Sequence, residues 1–153
     1  MIRIDIPKWG SIELQHAVFD VNGTLAVDGM PIPGVVARLQ ALGEHLSLHA
    51  LTAGTHGNLA ELARVLGFPL QLIATGEEKV HYVQHLGPAQ VIAFGNGRND
   101  VGMLRLAAIG VAVLAAEGAA MDALQAADVL ALGPVEAIDL LLKPKRLIAT
   151  LRG

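Results

Sequence analysis

Apolar and polar positions alternate across residues 1–14, as IRIDI and then SIEL on either side of Pro7–Gly10. This period of two predicts a short N-terminal β-hairpin. Beyond it the pattern changes. Short apolar runs at HAVFD (16–20), LSLHAL (46–51), LQLIAT (70–75), AQVIAF (89–94), GVAVL (110–114) and DVLAL (128–132) alternate with longer stretches of helical spacing. Strands separated by helices predict βαβ units, and so an α/β fold with a mostly parallel sheet.

Caps place the helices. Pro33–Gly43 opens with proline near its first turn and closes on glycine. His56–Gly67 carries Leu59, Leu62, Ala63 and Leu66 on one face, and Glu77–Gly87 begins with acids and stops at Gly-Pro. Asn99–Ala107, Glu117–Ala126 and Pro134–Lys143 fit three more. The C-terminal KPKRLIATLR reads as a basic, solvated final segment. No repeat, low-complexity tract or composition shift divides the chain, so residues 1–153 are expected to form one domain.

Composition narrows the function classes. Of the 153 residues 53% are hydrophobic and 16% charged, which suits a packed core and not a disordered chain. Mean hydropathy is positive, at +0.51. Even so, the longest strongly apolar run, LAAIGVAVLAA, has 11 residues and is too short to span a bilayer. A net charge of −3 with 3% aromatics argues against a nucleic-acid partner. The absence of cysteine removes disulfides, a thiol nucleophile and cysteine-based zinc. MIRIDIPKWG carries Arg3, Asp5 and Lys8 and holds no apolar signal segment. A cytoplasmic protein with no membrane partner is expected.

Ligands of parallel α/β sheets bind beyond the carboxyl ends of the strands. The polar residues predicted at those ends form a set: Asp20 followed by VNGTL, Thr52 followed by AGT, Lys79 early in the third helix, and Gly95 running into NGRND. A carboxylate at Asp20 can attack phosphorus and split one difficult displacement into two easier ones. A threonine hydroxyl, turn amides and an ammonium can hold the phosphoryl oxygens.

FDVNGTL (19–25), LTAGT (51–55), Lys79 and FGNGRNDVGML (94–104) resemble, in order, the four motifs of the haloacid-dehalogenase-like superfamily of phosphoryl-transfer enzymes. LTAGTHGNLAELARVLGF, GNGRNDVGMLRLAAIGVAV and AADVLAL are most similar to the phosphorylation domain of P-type ATPases and to soluble stand-alone proteins like it. The resemblance implies a three-layer, Rossmann-like sheet with helices on both faces. It also implies a Mg²⁺-dependent phosphohydrolase with Asp20 as nucleophile and Lys79 balancing charge on the transferred group. Phosphate would then be held by Asn22, Gly23, Thr24, Thr52, Ala53, Lys79 and Asn99. Mg²⁺ would lie among Asp20, the Asn22 carbonyl, Asn96 and Asp100, with Asp100 near the metal or orienting Lys79.

Two positions break the pattern. Most phosphatases of the superfamily carry Asp two residues after the nucleophile, as general acid–base, and Asp after the first glycine of the last motif, as metal ligand. Here these are Asn22 and Asn96. Asn22 cannot shuttle a proton, a role worth ~10²–10⁴-fold, so hydrolysis is expected to be slow. Asn96 offers only a neutral oxygen, so metal affinity is expected to fall. A less negative pocket repels phosphate less, which leaves open a non-catalytic module that binds a phosphorylated ligand or serves in interaction. Asp20 to Thr52 and Thr52 to Lys79 each leave room for one helix and one strand, so no cap is expected. An uncapped site faces a phosphorylated small molecule or protein, or is closed by a second subunit of a homo-oligomer.

Of the six histidines, His81 and His85 are spaced four apart on the third helix, on the face of Glu77. They could bind a transition metal, but no third ligand has a defined spacing. His45, His49 and His56 read as surface or turn residues, and His16 as structural.

Overall fold

The computed structural model describes residues 1–54 and 57–153. The alternating N-terminal segment forms the expected antiparallel hairpin, β1 (Ile2–Ile6) with β2 (Gly10–Leu14), Ile2 facing Leu14 and Ile6 facing Gly10. Its alternation sends Ile4, Ile6 and Leu14 into the core and leaves Arg3, Asp5 and Glu13 in solvent.

There follow β3 (His16–Asp20), a small hairpin of β4 (Ala26–Val27) and β5 (Met30–Pro31), α1 (Val35–Gly43), β6 (Ser47–Thr52), α2 (Leu59–Leu66) and β7 (Leu70–Leu72). Then come α3 (Gly76–Leu86), β8 (Val91–Gly95), α4 (Val101–Leu106), β9 (Ile109–Val113), α5 (Met121–Ala126), β10 (Val129–Ala131), α6 (Pro134–Leu142) and α7 (Pro144–Leu151). Six strands form one parallel sheet in the order β10-β9-β8-β3-β6-β7. The chain moves outward from β3 in one direction through β6 and β7. It then returns to β8 on the other side, so the strand order reverses between β3 and β8. That reversal opens a crevice at their carboxyl ends.

Both faces are covered. Side chains of α1, α2, α6, α7 and the N-terminal hairpin build one core layer with Phe19, Ile92 and Val111, while α3, α4 and α5 build the other with Val18, Val91 and Ala93. Phe19 and Phe94 stack across β3 and β8 with centroids 4.6 Å apart. This supports the two strands that carry the crevice. Between β3 and β6 lie only β4, β5 and α1, and between β6 and α3 only α2 and β7, so the described residues contain no cap domain. None of their helices is long and apolar enough to cross a membrane.

Some expectations change. KPKRLIATLR is no loose segment: Pro144 starts α7, Leu147 is fully buried, and Ile148 and Leu151 pack on the core. The apolar residues of α7 sit three and four apart and outweigh its charges, which stay on the outer face. The run at 70–75 shortens to Leu70–Leu72, and Thr75 leaves it to cap α3. Helix α5 begins at Met121 and not Glu117, because Ala115–Gly118 closes a turn in which Gly118 takes φ +75°. The β4–β5 hairpin, turning on Asp28 and Gly29 with φ 52° and 78°, was not among the predicted strands. The helix expected from His56 starts at Leu59 behind an Asn58 cap; His56 itself lies outside the described residues.

Candidate active site

Asp20 is the last residue of β3, and the chain turns sharply behind it. The Val21 carbonyl accepts the N–H groups of Thr24, Leu25 and Ala26 at 3.2, 2.9 and 2.9 Å, and Gly23 N–H donates to Ala26 O at 2.8 Å. Gly23 has φ +79°, and a Cβ there would lie 2.5 Å from Asn96 Nδ2, so only glycine fits. On the neighbouring strand a Cβ at Gly95 would lie 2.5 Å from Asp100 Cγ. Its absence lets the loop after β8 fold the Asp100 carboxylate back beneath the strand end. Helix α3 is fixed by a capping box: Thr75 Oγ1 accepts from Glu78 N–H at 3.2 Å, and Glu78 Oε2 accepts from Thr75 N–H at 3.0 Å. Lys79, the next residue, points into the crevice.

These three elements bring one cation between two carboxylates. Lys79 Nζ donates to Asp20 Oδ1 at 2.8 Å and to Asp100 Oδ1 at 2.7 Å. Asp100 Oδ2 accepts the N–H groups of Asn96 at 3.0 Å and Gly97 at 2.9 Å. Both Asp100 oxygens are therefore engaged, and its geometry is that of a group that orients Lys79 and the loop. Lys79 and Asp100 are fully buried, whereas Asp20 keeps 9% of its surface exposed. Asp20 is thus the member of the triad that solvent reaches. Burial, and then the charge of Asp100, push the Asp20 carboxyl up from its ordinary value to about 7 against the pull of Lys79. Burial also opposes the Lys79 ammonium, but the charges of Asp20 and Asp100 outweigh it and hold its pKa above the usual lysine value.

Around the triad, the buried Thr24 hydroxyl lies 3.4 Å from Asp20 Oδ2 and 3.2 Å from Asn96 Oδ1. Thr52, buried at the end of β6, accepts Gly54 N–H on its hydroxyl oxygen at 3.2 Å, and among the described residues nothing accepts its hydroxyl hydrogen. Asp20, Thr24, Thr52, Lys79, Asn96 and Asp100 therefore all stand at one edge of the sheet. The Gly23 and Thr24 N–H groups expected to face phosphate are spent closing the turn after β3. Asn22 is half-buried in that turn, Ala53 is exposed beyond β6, and Asn99 is exposed on the loop before α4.

Two features escaped the sequence. The Gly118 carbonyl accepts Asn96 Nδ2 at 3.1 Å, which ties the loop after β9 into the site. His49 is not a surface or turn residue. It lies half-buried in β6, bonded to His16 at 3.1 Å and Tyr82 at 2.9 Å, and burial followed by the charge of His16 depresses its pKa. The alternation within LSLHAL was the available signal. The described residues hold no group of three metal-ligating His, Cys, Asp or Glu side chains, and His81 and His85 both lie exposed on α3.

The family model for haloacid dehalogenase-like hydrolases matches residues 52–130. This chain belongs to that family. An uncharacterised protein of Methanocaldococcus jannaschii is 40% identical over 63 residues, 41% of this chain and 68% of that one. Among solved structures, 3-deoxy-D-manno-octulosonate 8-phosphate phosphatase from Moraxella catarrhalis, determined with magnesium, phosphate and sugar, superposes with a TM-score of 0.69 at 20% identity. It covers 91% of this chain and 94% of that one. The catalytic domain of the CPx-ATPase CopB-B superposes with a TM-score of 0.57 at 22% identity, covering 81% of this chain and 46% of that one. At these identities the likeness is one of fold. The four motifs had pointed to a capless member of this superfamily, and the family match and architecture agree.

The donor set meets the requirements of a hard divalent cation in kind, since Asp20, the Asn22 carbonyl and Asn96 Oδ1 all present oxygen. It falls short in charge. Both carboxylates at this edge, Asp20 and Asp100, already accept from Lys79, and Asp100 also accepts two amide N–H groups.

Proposed function

We propose that this hydrolase is a slow phosphohydrolase that works through an aspartyl phosphate on Asp20 and depends on Mg²⁺. The observation that supports this best is the buried Lys79 ammonium bridging Asp20 and Asp100 at 2.8 and 2.7 Å, where the strand order reverses. Lys79 holds Asp20 Oδ1, which leaves Oδ2 to attack the phosphorus of an incoming ester in line with the leaving oxygen. The new Asp20–phosphorus bond forms as the ester bond breaks. The leaving oxygen takes its proton from water, because Asn22 has none to give. Water then attacks the phosphoryl group, and the Asp20 carboxylate departs with inorganic phosphate as product. Lys79, Thr52 and the Asn22 and Ala53 N–H groups would hold the phosphoryl oxygens, with Asp100 keeping Lys79 aimed. Mg²⁺, held by Asp20, the Asn22 carbonyl and Asn96, would supply charge neutralisation on the phosphoryl oxygens.

Missing acid–base help at Asn22 sets the pace, by ~10²–10⁴-fold relative to a carboxyl-bearing relative. The uncapped mouth suits a phosphorylated small molecule or protein. Hydrolysis of p-nitrophenyl phosphate with Mg²⁺, for wild type and Asp20→Asn, tests the reading. Wild-type turnover that vanishes in Asp20→Asn is expected. Equal rates in the two, or no turnover by wild type, would replace the reading with that of a phosphate-binding module.

A further inference from the structure

Asn96 departs from the family pattern, yet each of its polar atoms is bonded. Nδ2 donates to Gly118 O at 3.1 Å, Oδ1 accepts from Thr24 Oγ1 at 3.2 Å, its N–H donates to Asp100 Oδ2 at 3.0 Å, and its carbonyl accepts from Ala120 N–H at 2.8 Å. The orientation of the amide follows from its partners. A main-chain carbonyl only accepts, so the NH₂ group must face Gly118 and the oxygen must face Thr24. Three segments meet on this one side chain: the turn after β3, the loop after β8 and the loop 114–120 after β9. Gly23 leaves the room, since a Cβ there would occupy the space of the Asn96 amide. An exposed pair, Arg98 Nε to Asp122 Oδ2 at 3.3 Å, joins the loop after β8 to the first turn of α5, just beyond the loop 114–120.

We propose that Asn96, beyond the oxygen it offers a cation, positions the site: its neutral amide is a strut that ties the Gly118 loop to Thr24 and thereby to the nucleophile, in a place this chain cannot give to the family's aspartate. A carboxylate at this position has no hydrogen for the Gly118 carbonyl and sets two oxygens against each other at the distance where a hydrogen bond now lies. The effect extends to Asp20. Thr24 has one hydroxyl hydrogen and two acceptors, Asn96 Oδ1 at 3.2 Å and Asp20 Oδ2 at 3.4 Å. A neutral amide leaves that hydrogen shared between them. A charged oxygen draws it away from the nucleophile, because hydrogen bonds to ionised acceptors are the stronger ones. The family's carboxylate thus brings a charged metal ligand and removes a loop tether, and in this chain the tether decides.

The catalytic half of this inference rests on the phosphohydrolase reading; the strut rests on the bonds alone. The test compares wild type with Asn96→Asp, Asn96→Ala, Thr24→Val and Thr24→Ser. Amide hydrogen exchange and thermal unfolding are read in chelator, and kcat and KM on p-nitrophenyl phosphate in saturating Mg²⁺. In Asn96→Asp the Ala120 amide is expected to exchange ~10-fold faster or more, the loss of about one hydrogen bond, and the melting temperature to fall by about 5 °C. Its kcat is expected to fall with KM unchanged, although a carboxylate has been restored. Thr24→Val should reproduce the fall in kcat, and Thr24→Ser, which keeps the hydroxyl, should rescue it.

Wild-type exchange and melting in Asn96→Asp, or a kcat above wild type, would overturn the proposal. So would an unchanged kcat in Thr24→Val. Should Asn96→Asp not fold, Asn96→Ala removes the amide without adding charge and carries the same exchange test. If wild type shows no turnover at all, the phosphohydrolase reading fails, while exchange and melting still decide the strut.

Discussion

Lys79 stands between Asp20 and Asp100 with no surface exposed, so each of the three charges depends on the other two. This coupling has a consequence for pH. The Asp20 carboxyl titrates near 7 in the folded chain against 3.8 for an unperturbed aspartate. Between those values the folded state holds a proton that the unfolded state has released. The unfolded state binds fewer protons there, so the contribution of Asp20 to stability falls as pH rises through the window. Urea midpoints in chelator at about pH 5 and about pH 8 check the sign. The stability of wild type relative to Asp20→Asn should decrease from the lower pH to the higher, and a flat difference would contradict it. Asn22 offers the opposite kind of test. It is half-buried, and among the described residues its side chain belongs to no bonded network. Asn22→Asp is therefore expected to keep the fold and raise kcat ~10²-fold in steady-state assays, the size of a restored general acid–base. An unchanged kcat would show that proton transfer does not limit the rate.

At the scale of elements, α7 and α3 show how much the residue pattern carries. Hydrophobic periodicity located the strands of the sheet and most of the helices, and glycine and proline marked where they stop. It undervalued α7, because four of the ten residues of KPKRLIATLR are lysine or arginine, while Leu147, Ile148 and Leu151 dominate it by burial. Leu147→Ala is expected to cost ~2–5 kcal/mol in urea denaturation, the penalty of a cavity at a fully buried leucine. A cost within about 0.5 kcal/mol would return the segment to the solvated role that its composition suggested. The capping box of α3 was also written in TGEE, yet the apolar run LQLIAT drew Thr75 into a strand. Short strands and caps compete for the same residues, and the hydrogen bonds of the cap decide. In β4–β5 a two-residue Asp-Gly turn between short extended pairs was readable, but too few apolar positions flanked it to show a period.

Across the whole molecule, the sheet order gathers residues far apart in sequence. Asp20, Thr52, Lys79 and Asp100 lie on four different segments, and the order β8-β3-β6 with α3 packed beside it brings them to one edge. Residue type and sequence order announced this convergence. Bond direction was not readable, because an aspartate in a motif does not declare which of its oxygens are already taken. Asp100 accepts from Lys79 and two amides, Gly23 and Thr24 spend their N–H groups in the turn, and Asn96 is clamped by Gly118. Those partners lie across the fold and leave no local signature. The central claim is that Oδ2 of Asp20, the oxygen Lys79 does not hold, takes the phosphoryl group. Incubation with acetyl phosphate and Mg²⁺, acid quenching and peptide mass spectrometry read this directly. One added phosphoryl group on the peptide that contains Asp20, absent in Asp20→Asn, is the expected result; turnover with no label on that peptide, or a label that persists in Asp20→Asn, would contradict it.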